Sequence, residues 1–471
     1  MRVLQRKIWM LLWLGMLSGL VGCLPSYATS FNAVDKQRLA TFAEFWEALD
    51  ERYPYFGRLD LDWDELRNRY RPMVTSAKNP AEFYHLLSGI LSELDDPHVS
   101  LEVPRDNWTE AGVSSTSITD PGSGFQLLTI GRKGYGMSWP KGEEPLVPEG
   151  LKGAMQKFPQ LVGIEGYPYA TGMARILLRG APGSLVELEL RWPDDRLSRH
   201  VLRRPPTPDP SDQPTSENGA KQTKADVSSV GIAAKWLEKA VTFDVRESLV
   251  PDKRIGVLKL TMFRYPGFSL VDYLSRLDEF VDEARELDGL VIDLGKNGGG
   301  FVGLGKNVVV RFLQEPALLA YDPEDHQSWF NLGFPVLLYL TERLSPREPL
   351  FAPPIVVLVS YNTGSMAEHV ARMLQQHAGA LVVGTQTLGI ESMIEEVVGQ
   401  DGSVLRFGSK GLRSVRGQSF QDRGVIADLP IEVSIDEIRE LGLERANENF
   451  AETIRQQAGR AFERLFEQRG G

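Results

Sequence analysis

The sequence has too few cysteines for a disulfide-stabilised scaffold and too little positive charge for a nucleic-acid-binding protein. Its 471 residues include one cysteine, Cys23, so no internal disulfide can form. Asp and Glu number 63 against 52 Lys and Arg, which gives a formal net charge of −11 at pH 7. An acidic chain is repelled by a phosphate backbone, so no nucleic-acid partner is expected. The sequence contains no internal repeat, and its length suits about two to four globular domains.

No apolar run in the N-terminal region is long enough to span a bilayer comfortably. The run from Ile8 to Val21 is preceded by three basic residues and ends next to Cys23, an arrangement that predicts a secretory signal. This end resembles a bacterial lipobox, so residues 1–22 are expected to be removed and Cys23 to be acylated. Acyl chains on Cys23 would anchor the mature protein to a membrane. By resemblance to Gram-negative lipoproteins, Leu24 predicts the outer membrane, facing the periplasm.

The pattern of apolar residues changes several times along the mature chain. Residues 31–109 are mostly helical by spacing, and residues 110–204 are rich in glycine, proline and short strand-like runs. Residues 205–226 have almost no apolar side chains and are expected to form a linker. Strands and helices alternate over 227–440, which predicts an α/β core with parallel strands. Residues 441–471 predict a charged C-terminal helix.

A serine at a strand-to-helix corner is the first candidate for chemistry. Ser365 follows the strand-like run Ile355–Ser360 and precedes the helix-like run Met366–Gln376. In that position a hydroxyl projects outward, and the first N–H groups of the helix can face a developing negative charge. Ser365 is therefore a candidate nucleophile. The simpler interpretation is an N-cap of the helix.

Six motifs in a fixed order are more specific than any one of them. Together they resemble peptidase family S41, which includes the tail-specific and the tricorn-core-like proteases. The resemblance implies an α/β multi-domain fold with an N-terminal helical bundle, a PDZ-like β-rich domain over 110–204 and a crotonase-like or ClpP-like catalytic core. The motifs are Leu94–His98, Arg254–Leu260, Asp293–Gly300, Ser365–Glu368, Val383–Gly389 and Gly424–Asp428.

The resemblance implies a nucleophile, a base and an oxyanion hole. Ser365 falls on the family nucleophile. The tail-specific branch activates its serine with a lysine, but Ile390 stands at that position, so the tricorn-like histidine is expected instead, at His98. The resemblance places the oxyanion hole at the backbone N–H of Met366 together with an N–H from the glycine loop. The loop candidates are Gly298, Gly299 and Gly300.

The group that orients the histidine is left open between two neighbours. The resemblance places a glutamate where this chain has Gln421, and Asp422 follows it. Gln421 could orient the ring without stabilising an imidazolium by charge, whereas Asp422 could do both if the loop shifts by one residue. Two further departures are Gly295 for a usual arginine and Ala427 for a usual proline.

The peptide-binding part of the resemblance is looser. The loop containing Gly122, Gly124 and Phe125 is similar to the carboxylate-binding loop of a PDZ domain. The implied function is a serine endopeptidase that cleaves unfolded or C-terminally recognised polypeptides, with no metal or cofactor and with its oligomeric state undetermined. A catalytically weak or inactive binding or scaffold protein on the same fold is the alternative.

Overall fold

The computed structural model shows a mixed α/β molecule, which confirms the predicted fold class. It describes residues 33–59, 61–104, 126–130, 132–137, 157–170, 173–174, 177–178, 184–203, 237–246, 249–264, 269–321, 340–414 and 419–470. Cys23, the predicted signal peptide, the linker and the loop with Gly122, Gly124 and Phe125 lie outside these residues. The predicted domain boundaries stay predictions. In the part of the chain described, no helix has the length and apolar character needed to cross a bilayer.

Helices occur at both ends of the chain and within the core, and the strands lie between them. The helices are α1 Ala33–Arg52, α2 Trp63–Thr75, α3 Pro80–Ser92, α4 Leu270–Ala284, α5 Val302–Val310, α6 Met366–His377, α7 Ile435–Leu441 and α8 Leu443–Gly470. The strands are β1 Ser100–Glu102, β2 Gln126–Ile130, β3 Lys133–Met137, β4 Gln160–Ile164, β5 Tyr167–Pro168, β6 Leu185–Arg191, β7 Leu197–Arg203, β8 Val241–Arg246, β9 Ile255–Leu260, β10 Gly289–Asp293, β11 Ala317–Tyr321, β12 Leu340–Leu344, β13 Ile355–Val359, β14 Leu381–Gly384, β15 Ser392–Val398, β16 Val404–Ser414 and β17 Leu429–Pro430.

Side-chain caps and buried aromatic rings define the N-terminal helices. Asp62 accepts a hydrogen bond from the Glu65 N–H at the start of α2, and Asn79 caps α3 in the same way. Trp46 of α1 stacks on Trp63 of α2 with the ring centroids 3.9 Å apart. These contacts close a helical unit where the apolar spacing predicted one.

A small sheet lies within the region predicted to be PDZ-like. Its strand order is β2-β3-β4-β6-β7, with β5 paired to β4 and all pairings antiparallel. Strand β6 alternates between buried and exposed side chains, so one face of this sheet packs inward. Its buried leucines join the hydrophobic core of the N-terminal helices.

The central sheet is parallel except at one edge and is covered on both faces. Its order is β17-β14-β13-β10-β9-β8, and only β8 runs antiparallel to its neighbour. Helices α4, α5 and α6 pack on one face and α8 on the other. Strands β10 and β13 are neighbours, so the loops that follow them meet at one edge of the sheet. One is the glycine loop after Asp293, and the other leads to Ser365.

A hairpin of the catalytic core joins the N-terminal helices to this edge. Strands β15 and β16 form the hairpin, and the short strand β1 pairs antiparallel with β16. Phe407 of β16 is buried in the hydrophobic core of the helices. The Tyr84 hydroxyl donates a hydrogen bond to Asp401 at the tip of the hairpin over 2.8 Å. The residues just before β1 are thereby held against the core, and His98 is one of them.

Candidate active site

Ser365 stands at the corner between β13 and α6, where the sequence placed it. Its backbone has φ 52° and ψ −125°, which is unusual for a residue with a side chain. Its N–H donates to Glu368 Oε2 over 2.9 Å. The residue is partly exposed, whereas Met366 beside it is buried. This turn lets the side chain of Ser365 leave the sheet edge while the helix begins directly behind it.

Glu368 is a buried acceptor with four donors. Oε2 accepts from the N–H groups of Ser365 and Ile390 over 2.9 and 3.0 Å. Oε1 accepts from the Gly389 N–H over 2.6 Å and from the Thr387 hydroxyl. Burial raises the pKa of Glu368 to about 7, although these four hydrogen bonds act to lower it. One carboxylate thus joins the serine corner to the loop over 387–390. From the sequence, Glu368 is only a carboxylate in the first turn of a helix, and this role is not predicted.

The glycine loop presses closely on the serine corner. Gly299 has φ +96°, and a Cβ on it would lie 2.7 Å from the Cβ of Ser365. The buried side chain of Asn297 shapes the loop, because its Oδ1 accepts the Gly299 N–H over 2.9 Å and its Nδ2 donates to the Leu260 carbonyl. The Gly364 N–H donates to the Asn297 carbonyl over 3.0 Å. Two loops of different strands are therefore joined as one unit.

These contacts correct one predicted oxyanion donor. The Gly299 N–H is already engaged by Asn297, so it is not free to bind an oxyanion. Within the described residues, the N–H groups of Gly298 and Met366 donate to no other group. Gly298 and Met366 stay the predicted donors. Position 299 requires a glycine because a Cβ there would collide with the Cβ of Ser365.

His98 lies in the turn between α3 and β1 and is 6% exposed. Its N–H donates to Asp96 Oδ1 over 2.8 Å, and its ring Nδ1 shares a hydrogen bond with Ser392 Oγ over 2.9 Å. Nε2 is buried and has no partner in the described part of the chain. The ring and Ser365 are therefore not hydrogen bonded in this structure. Burial lowers the pKa of His98, Asp96 opposes this change, and Arg132 adds to it.

In the described part of the chain, neither residue predicted to orient His98 is hydrogen bonded to its ring. Asp422 forms an ion pair with Arg132 over 2.7 Å. Gln421 Oε1 accepts the N–H of Glu391 over 3.1 Å. The contact to Nδ1 comes from Ser392 instead, one residue after Glu391. The sequence signal for Ser392 is weak, because it begins β15 directly after a loop whose path cannot be predicted from composition.

Three departures from the family pattern have clear places in the structure. A Cβ on Gly364, just before the nucleophile, would lie 3.2 Å from the Cδ1 of Ile390. The position of the tail-specific lysine is thus beside Ser365 and holds a buried apolar side chain. Gly295 lies in the turn where its N–H donates to Asp293 over 2.9 Å, and Ala427 is partly buried against the core.

His369 is a second buried histidine near the serine, but its ring is otherwise engaged. Nε2 lies 3.1 Å from the Glu391 carbonyl oxygen, which can only accept, so Nε2 carries the proton. The ring packs edge-on against Phe420 with the centroids 4.8 Å apart. Burial lowers the pKa of His369 to about 4. These contacts make it a support for the loop rather than a base. Across the described ranges no group of three or more His, Cys, Asp or Glu side chains could hold a metal.

The chain is similar to known peptidases. The profile for "Peptidase family S41" matches residues 254–431, and the profile for "Tricorn protease C1 domain" matches residues 35–92. The carboxyl-terminal-processing protease of Synechocystis sp. is 22% identical over 83% of this chain and 80% of its own length. The carboxy-terminal-processing protease of Bartonella bacilliformis is 25% identical over 39% of this chain, and the match spans 40% of its length.

A solved structure shows the same fold. Mature CPAF complexed with lactacystin superposes with a TM-score of 0.56 at 13% identity, covering 92% of this chain and 100% of that one. In this chain Ser365 lies at a strand-to-helix corner, and the glycine loop packs against it. Residues 254–431 match peptidase family S41, and the protein is by class a serine peptidase.

Proposed function

We propose that this protein is a serine endopeptidase in which Ser365 is the nucleophile and His98 the general base. The observation that carries the proposal is the corner at Ser365, where a strained backbone begins α6 and the glycine loop lies within van der Waals contact. The N–H groups of Met366 and Gly298 would bind the oxyanion. The depressed pKa of His98 keeps its ring neutral at neutral pH, as a base requires.

The reaction follows from these roles. Nε2 of His98 takes the proton of the Ser365 hydroxyl while Oγ bonds to the substrate carbonyl carbon. The C–N bond of the tetrahedral intermediate then breaks as His98 returns the proton to the leaving amine. Water, deprotonated by His98, then attacks the acyl carbon, and His98 returns that proton to Ser365 Oγ as the ester C–O bond breaks. The absence of a Ser365–His98 hydrogen bond suits an unliganded site, because such bonds often tighten only when substrate binds.

The substrate is a polypeptide, and we propose that it is unfolded or recognised at its C-terminus. The relatives named as carboxyl-terminal-processing proteases and the predicted PDZ-like region support this. The described residues between 126 and 203 form a small antiparallel sheet, which is compatible with such a module.

Substitution of the two catalytic candidates tests the proposal. Ser365→Ala and His98→Ala are each expected to lower kcat/KM on an unfolded polypeptide by at least about 10³-fold. His377→Ala, at the far end of α6, is the matched histidine control and should retain activity. The assignment is wrong if either active-site variant cleaves as fast as the wild type while remaining folded.

A non-catalytic binding protein on this fold is the second candidate. The observation that favours it is the apolar Ile390 beside Ser365, together with a His98 ring that is not bonded to the serine. A fluorophosphonate probe separates the two: labelling of Ser365 supports the peptidase. No labelling, with tight retention of an unfolded polypeptide, supports the binding protein.

We propose that Cys23 is acylated and that the protein faces the periplasm from the outer membrane. The lipobox-like end of the signal segment supports this. Cys23→Ser is expected to move the protein from the membrane fraction to the soluble fraction of the envelope, measured by immunoblot. Unchanged membrane association of this variant would contradict lipid anchoring.

A further inference from the structure

Ser392 makes the one side-chain hydrogen bond to the His98 ring in the described part of the chain. It is the first residue of β15, is 3% exposed, and its Oγ lies 2.9 Å from His98 Nδ1. The register of β15 against β16 shifts just beyond it, between Met393 and Ile394. Such irregularities turn a side chain away from the regular alternation of a strand. Ser392 can therefore face the histidine although it lies 294 residues away in sequence.

Gly408 on the facing strand leaves the space for this hydrogen bond. A Cβ on Gly408 would lie 1.9 Å from Ser392 Oγ and 3.7 Å from His98 Nδ1. The backbone of Gly408 is outside the left-handed region, so its conformation alone does not require glycine. A glycine at this position is needed because any side chain would displace the Ser392 hydroxyl.

The other groups around His98 act on the ring without holding it. Asp96 and Arg132 influence its charge with opposite signs, and the buried His369 is close enough to interact electrostatically. None of these side chains makes a hydrogen bond to the ring in the described residues. The orientation of the ring therefore depends on the contact with Ser392.

We propose that Ser392 is the positioning residue of His98, that its hydroxyl accepts the Nδ1–H so that Nε2 is free for Ser365, and that Gly408 keeps the space for this contact. The proposal rests on the proposed function, in which His98 is the base. When His98 takes the serine proton both ring nitrogens become donors, and Ser392 Oγ is then the acceptor for Nδ1–H. A hydroxyl supplies this without a negative charge, unlike the carboxylate of a Ser-His-Asp triad.

The first test removes the hydroxyl. Ser392→Ala is expected to lower kcat about 10- to 100-fold with KM nearly unchanged, because a buried Nδ1–H loses its acceptor. The matched control is Ser403→Ala, a fully buried serine at the other end of the same hairpin whose hydroxyl bonds Asp401. It should retain kcat within about twofold. A kcat of Ser392→Ala equal to that of the control overturns the proposal.

The second test keeps the hydroxyl and removes its space. Gly408→Ala is expected to lower kcat to a similar extent, since the new methyl group displaces Ser392 Oγ. The double variant Ser392→Ala/Gly408→Ala should be no slower than Ser392→Ala, because both changes remove the same contact. Losses that multiply in the double variant would show that Gly408 acts elsewhere and would refute its assigned role.

A third measurement reads the ring directly. Histidine-¹⁵N NMR of the folded Ser365→Ala protein should show neutral His98 protonated at Nδ1, and Ser392→Ala added to it should shift the ring toward the Nε2-protonated tautomer. An Nε2-protonated ring before the second change overturns the proposal. Failure of the proposed function looks different: His98→Ala would then be active, whatever Ser392→Ala does.

Discussion

At the scale of single residues, the carboxylate of Glu368 is the group on which most of the site depends. It is fully buried and accepts hydrogen bonds from the serine corner and from the loop that continues into Ser392. An ionised carboxylate can accept from all its donors at once, whereas an amide presents one oxygen and an NH₂ group. Glu368 therefore holds both the proposed nucleophile, Ser365, and the loop that leads to Ser392.

Replacing this carboxylate is expected to disturb both. In Glu368→Gln the NH₂ group meets backbone N–H donors that need an acceptor, which costs about 1–3 kcal/mol of unfolding free energy for each orphaned donor. We expect a fall in kcat of about 10²-fold. Activity assays and thermal denaturation measure these effects. Glu82→Gln, an exposed carboxylate in the first turn of α3, is the control and should change stability by less than about 0.5 kcal/mol.

The pH dependence of activity follows from two pKa changes of opposite direction. Burial lowers the pKa of His98 from 6.5, so the ring is already neutral below that pH. Burial raises the pKa of Glu368 to about 7, so its ionisation and not that of His98 should set the acidic limb. We expect kcat/KM to rise through about pH 7 and this limb to vanish in Glu368→Gln. A wild-type limb well below pH 6 would contradict the assignment.

The contribution of the Glu368 carboxyl to stability should fall with rising pH, whereas its contribution to activity should rise. Folded Glu368 holds its proton more tightly than the unfolded chain, whose ordinary value is 4.5, so its contribution is full below pH 4.5 and is lost as the pH rises through about 7. The difference between the two pKa values corresponds to about 3 kcal/mol of unfolding free energy. Urea denaturation of the wild type and Glu368→Gln, compared at about pH 4.5 and pH 8, measures it. An equal difference at both pH values would disprove the effect.

The place of Ser365 in the fold could be predicted from the sequence, whereas other contacts of the site could not. A strand-like run and a helix-like run flank Ser365 directly, which fixes the corner locally. The contacts of Glu368 and Ser392 join segments more than 20 and almost 300 residues apart. Such pairings depend on tertiary packing, and a single sequence does not encode them in its spacing.

At the scale of elements, the hairpin β15–β16 connects the proposed base, His98, to the loop beside the proposed nucleophile, Ser365. Its strand β16 pairs with β1, two residues after His98, and carries Phe407 into the core of the N-terminal helices. Arg52 of α1 lies over the Phe407 ring at 5.9 Å and also pairs with Glu395 of β15. The alternation of strands predicted the central sheet, but this hairpin was not foreseen, because its partners come from the other end of the chain.

Removal of the buried Phe407 ring should make the position of His98 less well defined. Phe407→Ala is expected to lower the unfolding free energy by about 3–5 kcal/mol. It should also reduce kcat beyond the unfolded fraction, since β1 loses part of its support. Val398→Ala, on the same hairpin but 65% exposed, is the control and should leave both unchanged. Full specific activity of the folded Phe407→Ala fraction would show that the hairpin does not position His98.

At the scale of the whole molecule, Arg132 joins three parts of the chain. It precedes β3 in the predicted PDZ-like region and donates to the carbonyls of Leu388 and Gly389, each over 3.3 Å. It also donates to the Asp95 carbonyl over 3.2 Å and pairs with Asp422 over 2.7 Å. The small sheet, the turn before His98 and the loop beside the nucleophile therefore share one guanidinium.

Removing this guanidinium should lower activity more than stability. In Arg132→Ala three carbonyls lose a charged donor, and we expect kcat to fall about 10-fold or more because both active-site loops gain freedom. Lys133→Ala, the exposed neighbour, is the control. Steady-state kinetics and thermal denaturation distinguish the two effects, and unchanged kcat in Arg132→Ala would rule out the connection.

The pairing of β1 with β16 also has a consequence for how the protein is made. The ribosome delivers His98 more than 260 residues before Ser365, and Ser392 and Gly408 come later still. In a nascent or truncated chain that ends before β16, the corner at Ser365 can form, but β1 has no partner strand to hold the proposed base, His98, in position. Contacts of such long sequence separation form slowly. The proposed active site is therefore completed only at the end of folding, when β16 has paired with β1.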